Sequence, residues 1–176
     1  SKYLKRRCQL TYKPESEIIV TIGASQAIDV VIRTLIEPGD EVLIPQPSFV
    51  AYKPCTILAG GKPVYVPTYP QDDFILRPDV LEKYITDRSK LLILPYPNNP
   101  TGAVMTEEQL KKVADMVKKH DLIVAADEIY SELTYGVEHT AFAKIPDMWE
   151  RTVTINGFSK SYAMTGWRLG YIAAPE

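Results

Sequence analysis

The chain has 176 residues, 45% of them hydrophobic, and a formal net charge of −2. This length and composition suit one globular domain with a sizeable core. The balanced charge argues against nucleic acid or an anionic membrane as a partner, and no apolar run approaches the roughly 20 residues that span a bilayer.

Cysteine and histidine are scarce, and no signal peptide opens the chain. Cys8 and Cys55 form no disulfide framework and no metal-ligand spacing, so we expect free thiols in a reducing cytoplasm. His120 and His139 lie in polar contexts, and we interpret both as surface residues. We assign no metal.

The first third of the chain contains a strand followed by a glycine turn. Tyr3–Tyr12 is typical of the end of a helix, and the apolar run Ile18–Ile22 predicts a buried strand. Gly23–Ala27 follows at once, and apolar residues then recur at helical spacing. A helix N-terminus after such a turn favours an anion. An ordinary turn in which Ser25 caps the helix explains the same residues.

Alternating strands and helices continue through the middle of the chain. Apolar runs predict strands at Glu41–Ile44, Pro63–Val66 and Lys90–Leu94. Between them we predict helices at Phe49–Leu58 and Pro78–Ile85, the second with proline at its favoured first position.

A rigid loop and a carboxylate follow the fourth and fifth strands. Pro95–Gly102, with the sequence PYPNNPTG, predicts the loop. A capping box at Thr106–Gln109 starts another helix, and Leu122–Ala126 is the fifth strand. Asp127 then stands at the end of a buried strand, where an unpaired charge is costly. It either pairs with a cationic ligand nitrogen or caps the next segment.

The most informative stretch is Asn156–Gly170, which lies between the predicted strands Thr152–Ile155 and Leu169–Ala173. Lys160 sits in its turn-rich centre, and Arg168 follows eight residues later. A neutral lysine amine is a covalent catalyst toward carbonyl groups. The commonest carbonyl partner is pyridoxal 5′-phosphate (PLP), whose phosphate also needs an anion site. A basic surface loop is the alternative.

Alternation of strands and helices predicts an α/β fold, with a mostly parallel sheet and helices on both faces. Ligands of such sheets bind outside the carboxyl ends of the strands. The candidate residues all follow strand ends, which predicts that they share one site: Ala24, Ser25, Phe49, Asn99, Asp127 and Lys160.

Asn156–Gly170 resembles the PLP-lysine signature of the class I/II aminotransferases, which are fold type I enzymes. The matching positions are Gly157, Ser159, Lys160, Ala163, Met164, Gly166, Arg168, Leu169 and Gly170. The resemblance implies a seven-stranded sheet in which the seventh strand is antiparallel and lies between the first and the sixth, followed by the fifth, fourth, second and third. It also implies that residues 1–176 are a single PLP-binding large domain, without the N-terminal arm and C-terminal small domain.

The resemblance assigns roles to the site residues. Lys160 binds the PLP aldehyde and is the catalytic base, and Asp127 faces the pyridine nitrogen. Phe49 stacks on the ring, while Asn99 and Tyr130 face its phenolic oxygen. The phosphate is held by Ala24, Ser25 and Arg168. One departure is Gly157, where many relatives carry a hydroxyl, so Ser159 or Ser25 is expected to compensate. Gln46-Pro47 and Asn99-Pro100 are expected to be cis.

The implied activity is transamination between an L-amino acid and a 2-oxo acid. The sequences of the segments DEIYSELTY and MTGWRLGY most resemble those of bacterial aspartate, aromatic or diaminopimelate aminotransferases. A fold type I lyase or decarboxylase, and the sensor domain of a transcription regulator, are the alternatives. The family also implies a homodimer, with substrate-binding residues outside this chain, so we expect the isolated chain to bind PLP weakly and to be inactive.

Overall fold

The computed structural model describes residues 1–176 and contains one seven-stranded sheet. Its order is β1-β7-β6-β5-β4-β2-β3, and β7 runs antiparallel to both of its neighbours while the other pairs are parallel. The expected fold class and strand order are confirmed. The strands are β1 Ile18–Thr21, β2 Glu41–Gln46, β3 Lys62–Pro67, β4 Ser89–Leu94, β5 Ile123–Asp127, β6 Thr152–Gly157 and β7 Gly170–Ala173.

Five α-helices accompany the sheet: α1 Lys2–Cys8, α2 Gly23–Leu35, α3 Tyr52–Leu58, α4 Pro78–Leu81 and α5 Glu107–Lys119. The predicted capping box starts α5: Thr106 Oγ1 accepts from Gln109 N at 3.3 Å, and Gln109 Oε1 accepts from Thr106 N at 2.8 Å. These two bonds satisfy backbone donors that the first turn leaves free. None of the helices is both long enough and apolar enough to cross a membrane.

Both faces of the sheet are covered, and β4 shows how its side chains are divided between them. Leu91 and Ile93 pack with the apolar face of α2 on one side, while Leu92 and Leu94 pack with α5 on the other. All four side chains are at most 3% exposed. Strands buried on both faces need continuous apolar runs, and this explains why β4 contains no alternation of polar and apolar residues.

Three local predictions need correction. The first strand is not buried: β1 is an edge strand paired only with β7, and its Ile19 and Val20 side chains are 55% and 70% exposed. The third predicted helix begins at Tyr52, so Phe49 precedes it. The Pro78 helix keeps α geometry only to Leu81 and continues as a 3₁₀ turn, Glu82–Tyr84. The apolar pattern thus located each element but did not determine the burial of β1 or the exact bounds of the two helices.

Both expected cis prolyl bonds, Gln46-Pro47 and Asn99-Pro100, are confirmed. The structure adds a third, Tyr96-Pro97, which the sequence did not distinguish from an ordinary trans bond.

A close backbone contact joins β7 to the first turn of α2. A Cβ atom added to Gly170 would lie 2.5 Å from the carbonyl carbon of Gly23 and 2.7 Å from Ala24 N. Gly23 itself has a φ of +72°, and a Cβ there would lie 2.6 Å from Nη2 of Arg168. Glycine at both positions therefore lets the helix N-terminus, the strand and the Arg168 guanidinium meet.

We expect Gly170→Ala to lower the free energy of unfolding by about 1–3 kcal/mol, because the added methyl meets backbone atoms that cannot move independently. Urea unfolding followed by circular dichroism measures the change. Gly166→Ala is the matched control: a Cβ there meets nothing within 4 Å, and we expect a change within about 0.5 kcal/mol. Equal stability of the two variants would contradict the close contact.

Candidate active site

A cavity of about 300 Å³ opens where the parallel strands end. Fifteen residues line it, and they include every site residue that the sequence predicted: Ala24, Ser25, Phe49, Asn99, Asp127, Tyr130, Ser159, Lys160 and Arg168. A second cavity of about 310 Å³ lies beside β1, has a mainly apolar lining and contains none of these residues. The predicted residues therefore share a single location.

The carboxylate of Asp127, the last residue of β5, lies at the inner end of the cavity and is 5% exposed. Tyr52 Oη donates to its Oδ2 at 2.7 Å, and Ile129 N donates to its Oδ1 at 3.3 Å. Burial raises the pKa of Asp127, while the two hydrogen bonds act in the opposite direction and the nearby Glu128 charge adds to the increase. A cation facing this carboxylate would favour its anionic form.

Tyr52 also lines the cavity, and the sequence analysis gave it no role in the site. It is 2% exposed, and burial together with the Asp127 charge raises its pKa far above the usual range, so it stays a hydrogen-bond donor. Its ring meets Phe49 edge-on, with centroids 5.7 Å apart. A tyrosine three residues after a predicted site aromatic was the available signal.

The opposite end of the cavity is suited to an anion. The first turn of α2 has no side-chain cap and no acidic residue, so the alternative reading of Ser25 as the helix cap is wrong. Arg168 lies beside this turn, held by a hydrogen bond from its Nη1 to the carbonyl oxygen of Thr165 at 2.8 Å. Free backbone N–H groups, the helix dipole and the guanidinium all favour a phosphate or carboxylate here.

Lys160 also lines the cavity and lies in the turn that follows β6. Its Nζ is 5.7 Å from the centre of the Tyr130 ring, and it forms no ion pair. The amine therefore has no acidic partner that would hold it in a salt bridge.

Two adjacent asparagines in the loop after β4 have different roles: one stabilises the loop and the other lines the cavity. Asn98 is 7% exposed and stabilises the loop: its Oδ1 accepts from Thr101 N at 3.2 Å and from Thr101 Oγ1 at 3.0 Å. Its Nδ2 donates to the carbonyl oxygen of Pro47 at 3.4 Å. This leaves the Asn99 side chain on the cavity wall.

Steric crowding explains why position 157 carries a glycine. An added Cβ would lie 3.0 Å from Leu169 O, 3.1 Å from Gly170 Cα and 3.2 Å from Ile129 Cδ1. A side chain at this position would therefore be crowded against β7 and Ile129. Ser25 and Ser159 line the cavity, so their hydroxyls are available there.

Comparison with known proteins agrees with this geometry. A family model described as "Aminotransferase class I and II" matches residues 1–176. The chain belongs to this family. Its members are PLP-dependent. PLP has an aldehyde, a ring nitrogen and a phosphate, and the cavity offers an amine, a buried carboxylate and an anion site, so the residues present fit this cofactor.

Several relatives of this aminotransferase-family chain have names that specify an amino acid. It is 51% identical over 164 residues to aromatic-amino-acid aminotransferase 2 of Thermococcus litoralis, covering 93% of this chain and 42% of the relative. It is 49% identical over 174 residues to the aspartate aminotransferase of Pyrococcus abyssi, covering 98% and 45%.

Solved structures of aminotransferases are also similar to this chain. The aromatic aminotransferase of Pyrococcus horikoshii matches with a TM-score of 0.97 and 50% identity, over 99% of this chain and 47% of that one. The chain thus spans less than half the length of these relatives.

We expect Asp127→Asn to raise the stability of the ligand-free protein at neutral pH by about 0.5–2 kcal/mol. Because the folded-state pKa of Asp127 is raised, its stabilising contribution is present at acid pH, where it is protonated, and is lost as the pH rises through that value. The gain in the variant should therefore disappear on acidification. Chemical unfolding at several pH values measures it. Asp115→Asn removes an exposed carboxylate and should show no such dependence, while a destabilised Asp127→Asn at neutral pH would contradict the argument.

Proposed function

We propose that this chain holds PLP in the cavity and forms the cofactor-binding part of an aminotransferase, which moves an amino group between an L-amino acid and a 2-oxo acid. One observation carries the proposal: the Lys160 amine, the Asp127 carboxylate and the anion site at Arg168 meet in one cavity of about 300 Å³.

The anion end holds the phosphate in this proposal. The guanidinium of Arg168 and the backbone N–H groups of Ala24 and Ser25 are its donors, and the hydroxyls of Ser25 and Ser159 supply further hydrogen bonds. The close approach of Gly170 to Gly23 supports this assignment, because it holds β7 and the helix N-terminus in a fixed relation.

Asp127 holds the ring end. When bound, PLP withdraws electrons from the bonds at the substrate Cα. Asp127 pairs with the protonated ring nitrogen, and this charge-assisted contact compensates for burial of the carboxylate. The Tyr52 hydrogen bond at 2.7 Å fixes the direction of Asp127. Phe49 provides the apolar face beside the ring, while Asn99 and Tyr130 donate hydrogen bonds to its phenolic oxygen.

Lys160 is the catalytic residue. Its Nζ would hold the cofactor through the aldehyde, and as a free amine it would take the proton from the substrate Cα. The Tyr130 ring, 5.7 Å from Nζ, attracts the ammonium form and limits where the side chain moves.

The names of the relatives suggest the substrate class. We propose an aspartate-like or aromatic L-amino acid as donor, since both kinds occur among proteins about 50% identical to this chain. Formation of the 2-oxo acid from each donor by the complete gene product tests this. Release of ammonia, pyruvate or carbon dioxide instead would indicate a lyase or decarboxylase, and PLP binding without turnover would indicate a sensor domain.

A homodimer in the cytoplasm is proposed for the complete protein. Both cysteines are free, which agrees with a reducing compartment. The exposed apolar side chains of Ile19, Val20 and Ile22 offer a surface for a second copy or for further chain. Light scattering after size-exclusion chromatography measures the assembly.

We expect borohydride reduction of the PLP-treated protein to attach the cofactor permanently to Lys160, because reduction makes an aldehyde–amine linkage irreversible. Peptide mapping by mass spectrometry identifies the labelled residue. Lys160→Ala should abolish the label, and Lys112→Ala, which changes a lysine on α5, should leave it unchanged. A label on any other lysine would overturn the assignment.

We expect Arg168→Gln to raise the Kd for PLP about 10- to 150-fold, which corresponds to the loss of one charge-assisted hydrogen bond. Inorganic phosphate should compete with PLP in the original protein and compete less in the variant. Arg33→Gln is the control, since Arg33 lies in the last turn of α2 and pairs with Asp29. Similar Kd values in both variants would remove Arg168 from the site.

A further inference from the structure

A buried hydrogen bond joins the segment that carries Tyr130 to the segment that carries Lys160. Asn156 Nδ2 donates to Ser131 Oγ at 3.1 Å, and the two residues are 4% and 8% exposed. Ser131 directly follows Tyr130, and Asn156 lies in the last turn of chain before Lys160. The bond therefore links two segments that both contribute a side chain to the cavity wall.

This bond stands where the pairing of two strands stops. β5 and β6 pair as far as Asp127 and Ile155, and Glu128 N makes a further backbone bond to the carbonyl oxygen of Ile155 at 2.9 Å. Beyond that point, the bond from Asn156 to Ser131 alone joins residues 129–134 to residues 156–170. The ladder no longer fixes the spacing of the two segments there, so the side-chain contact does.

The other contacts of the Tyr130 turn do not relate it to β6. Ser131 N donates to the carbonyl oxygen of Glu128 at 2.9 Å, which closes the turn locally. Farther out, Glu132 pairs with Arg7 of α1 at 2.8 Å, which fixes the turn to the helix. The hydrogen bond at Ser131 is therefore the contact that orients Tyr130 toward the lysine segment.

The asparagine at the other end of this bond is itself held in one orientation. Its Oδ1 accepts from Gly157 N at 2.7 Å, so both groups of the Asn156 amide have partners. A buried amide whose oxygen and nitrogen are both engaged cannot rotate without losing a hydrogen bond. Asn156 thus provides a rigid support on β6.

We propose that Asn156 and Ser131 are positioning residues for the cofactor site: their hydrogen bond sets the place of the Tyr130 hydroxyl relative to the Lys160 amine, so that Tyr130 donates to the phenolic oxygen of PLP held at Lys160. This inference rests on the proposed function and extends it to two residues that do not line the cavity.

The proton equilibrium of lysine-bound PLP reports on this geometry. The nitrogen of the lysine–PLP linkage and the phenolic oxygen share one proton, and its loss changes the absorbance of the cofactor. A hydrogen bond from Tyr130 to the oxygen stabilises the anion that remains, so the proton leaves at lower pH. A displaced Tyr130 gives a weaker bond, and the midpoint of the absorbance change rises.

The test measures this midpoint by pH titration of the PLP-loaded complete gene product. Ser131→Ala removes the acceptor and leaves the bond between Gly157 N and Asn156 in place. We expect its midpoint to rise by on the order of half to one pH unit, which is a three- to tenfold change in the proton equilibrium. Asn156→Ala should shift it in the same direction. An unchanged or lower midpoint in folded Ser131→Ala overturns the proposal.

Thr152→Val is the matched control for a general loosening of β6. Thr152 Oγ1 donates to the carbonyl oxygen of Met148 at 2.7 Å, so this variant loses a buried hydrogen bond from the opposite end of the same strand. We expect it to lose stability and to keep the midpoint of the unmodified protein. If the midpoint of Thr152→Val rises as far as that of Ser131→Ala, the effect is not one of positioning and the proposal is overturned.

Tyr130→Phe separates an effect on the tyrosine from a direct effect on Lys160. Phenylalanine has no hydroxyl to misplace, so adding Ser131→Ala to this variant should shift the midpoint no further. An equal shift from Ser131→Ala with and without the Tyr130 hydroxyl contradicts the proposed route.

Hydrogen exchange in the ligand-free protein supplies a readout that needs no cofactor. In Ser131→Ala, peptides covering residues 129–134 should exchange roughly three- to tenfold faster, because the turn loses its hydrogen bond to β6. Unchanged exchange there overturns the proposal. If Asn156→Ala does not fold, Ser131→Ala decides alone. Absence of PLP binding by the unmodified protein overturns the proposed function instead.

Discussion

The buried carboxylate of Asp127 is the interaction on which the site depends. It stands at the end of β5, the middle strand of the sheet, where neighbours on both sides and on both faces exclude water. An anion in such a place is stable only with hydrogen bonds and a facing cation. Tyr52 and Ile129 supply the hydrogen bonds, and the cavity leaves room for the cation. The fold thus creates a position that favours a ligand with a positively charged nitrogen.

The other end of the cavity depends on close backbone contacts. Because Gly170 and Gly23 lack side chains, β7 lies directly against the first turn of α2. Arg168 comes two residues before β7, so the same contact places its guanidinium beside the N-terminus of α2. Gly157 serves the same purpose on β6, where any Cβ would meet β7.

Behind the cavity lies a layer of polar groups that is as buried as the site itself. Glu128 and His139 form its centre, and Tyr12 and Tyr171 border it. Adjacent residues of one strand end point to opposite faces, so Asp127 and Glu128 inevitably share an electrostatic environment while facing different neighbours.

The sequence by itself determined the α/β class, the helix at the Thr106 capping box and the strand ends at which Asp127 and Lys160 would meet, because apolar periodicity and chain reversals are local properties. The resemblance carried by Asn156–Gly170 supplied the strand order. Only the tertiary structure decided that Tyr52 bonds Asp127 and that β1 is an exposed edge. It alone turned His139, which was wrongly predicted to be a surface residue, inward to Glu128, eleven residues away. These outcomes depend on which distant segments of the chain pack together, and the local sequence around a residue does not specify that packing.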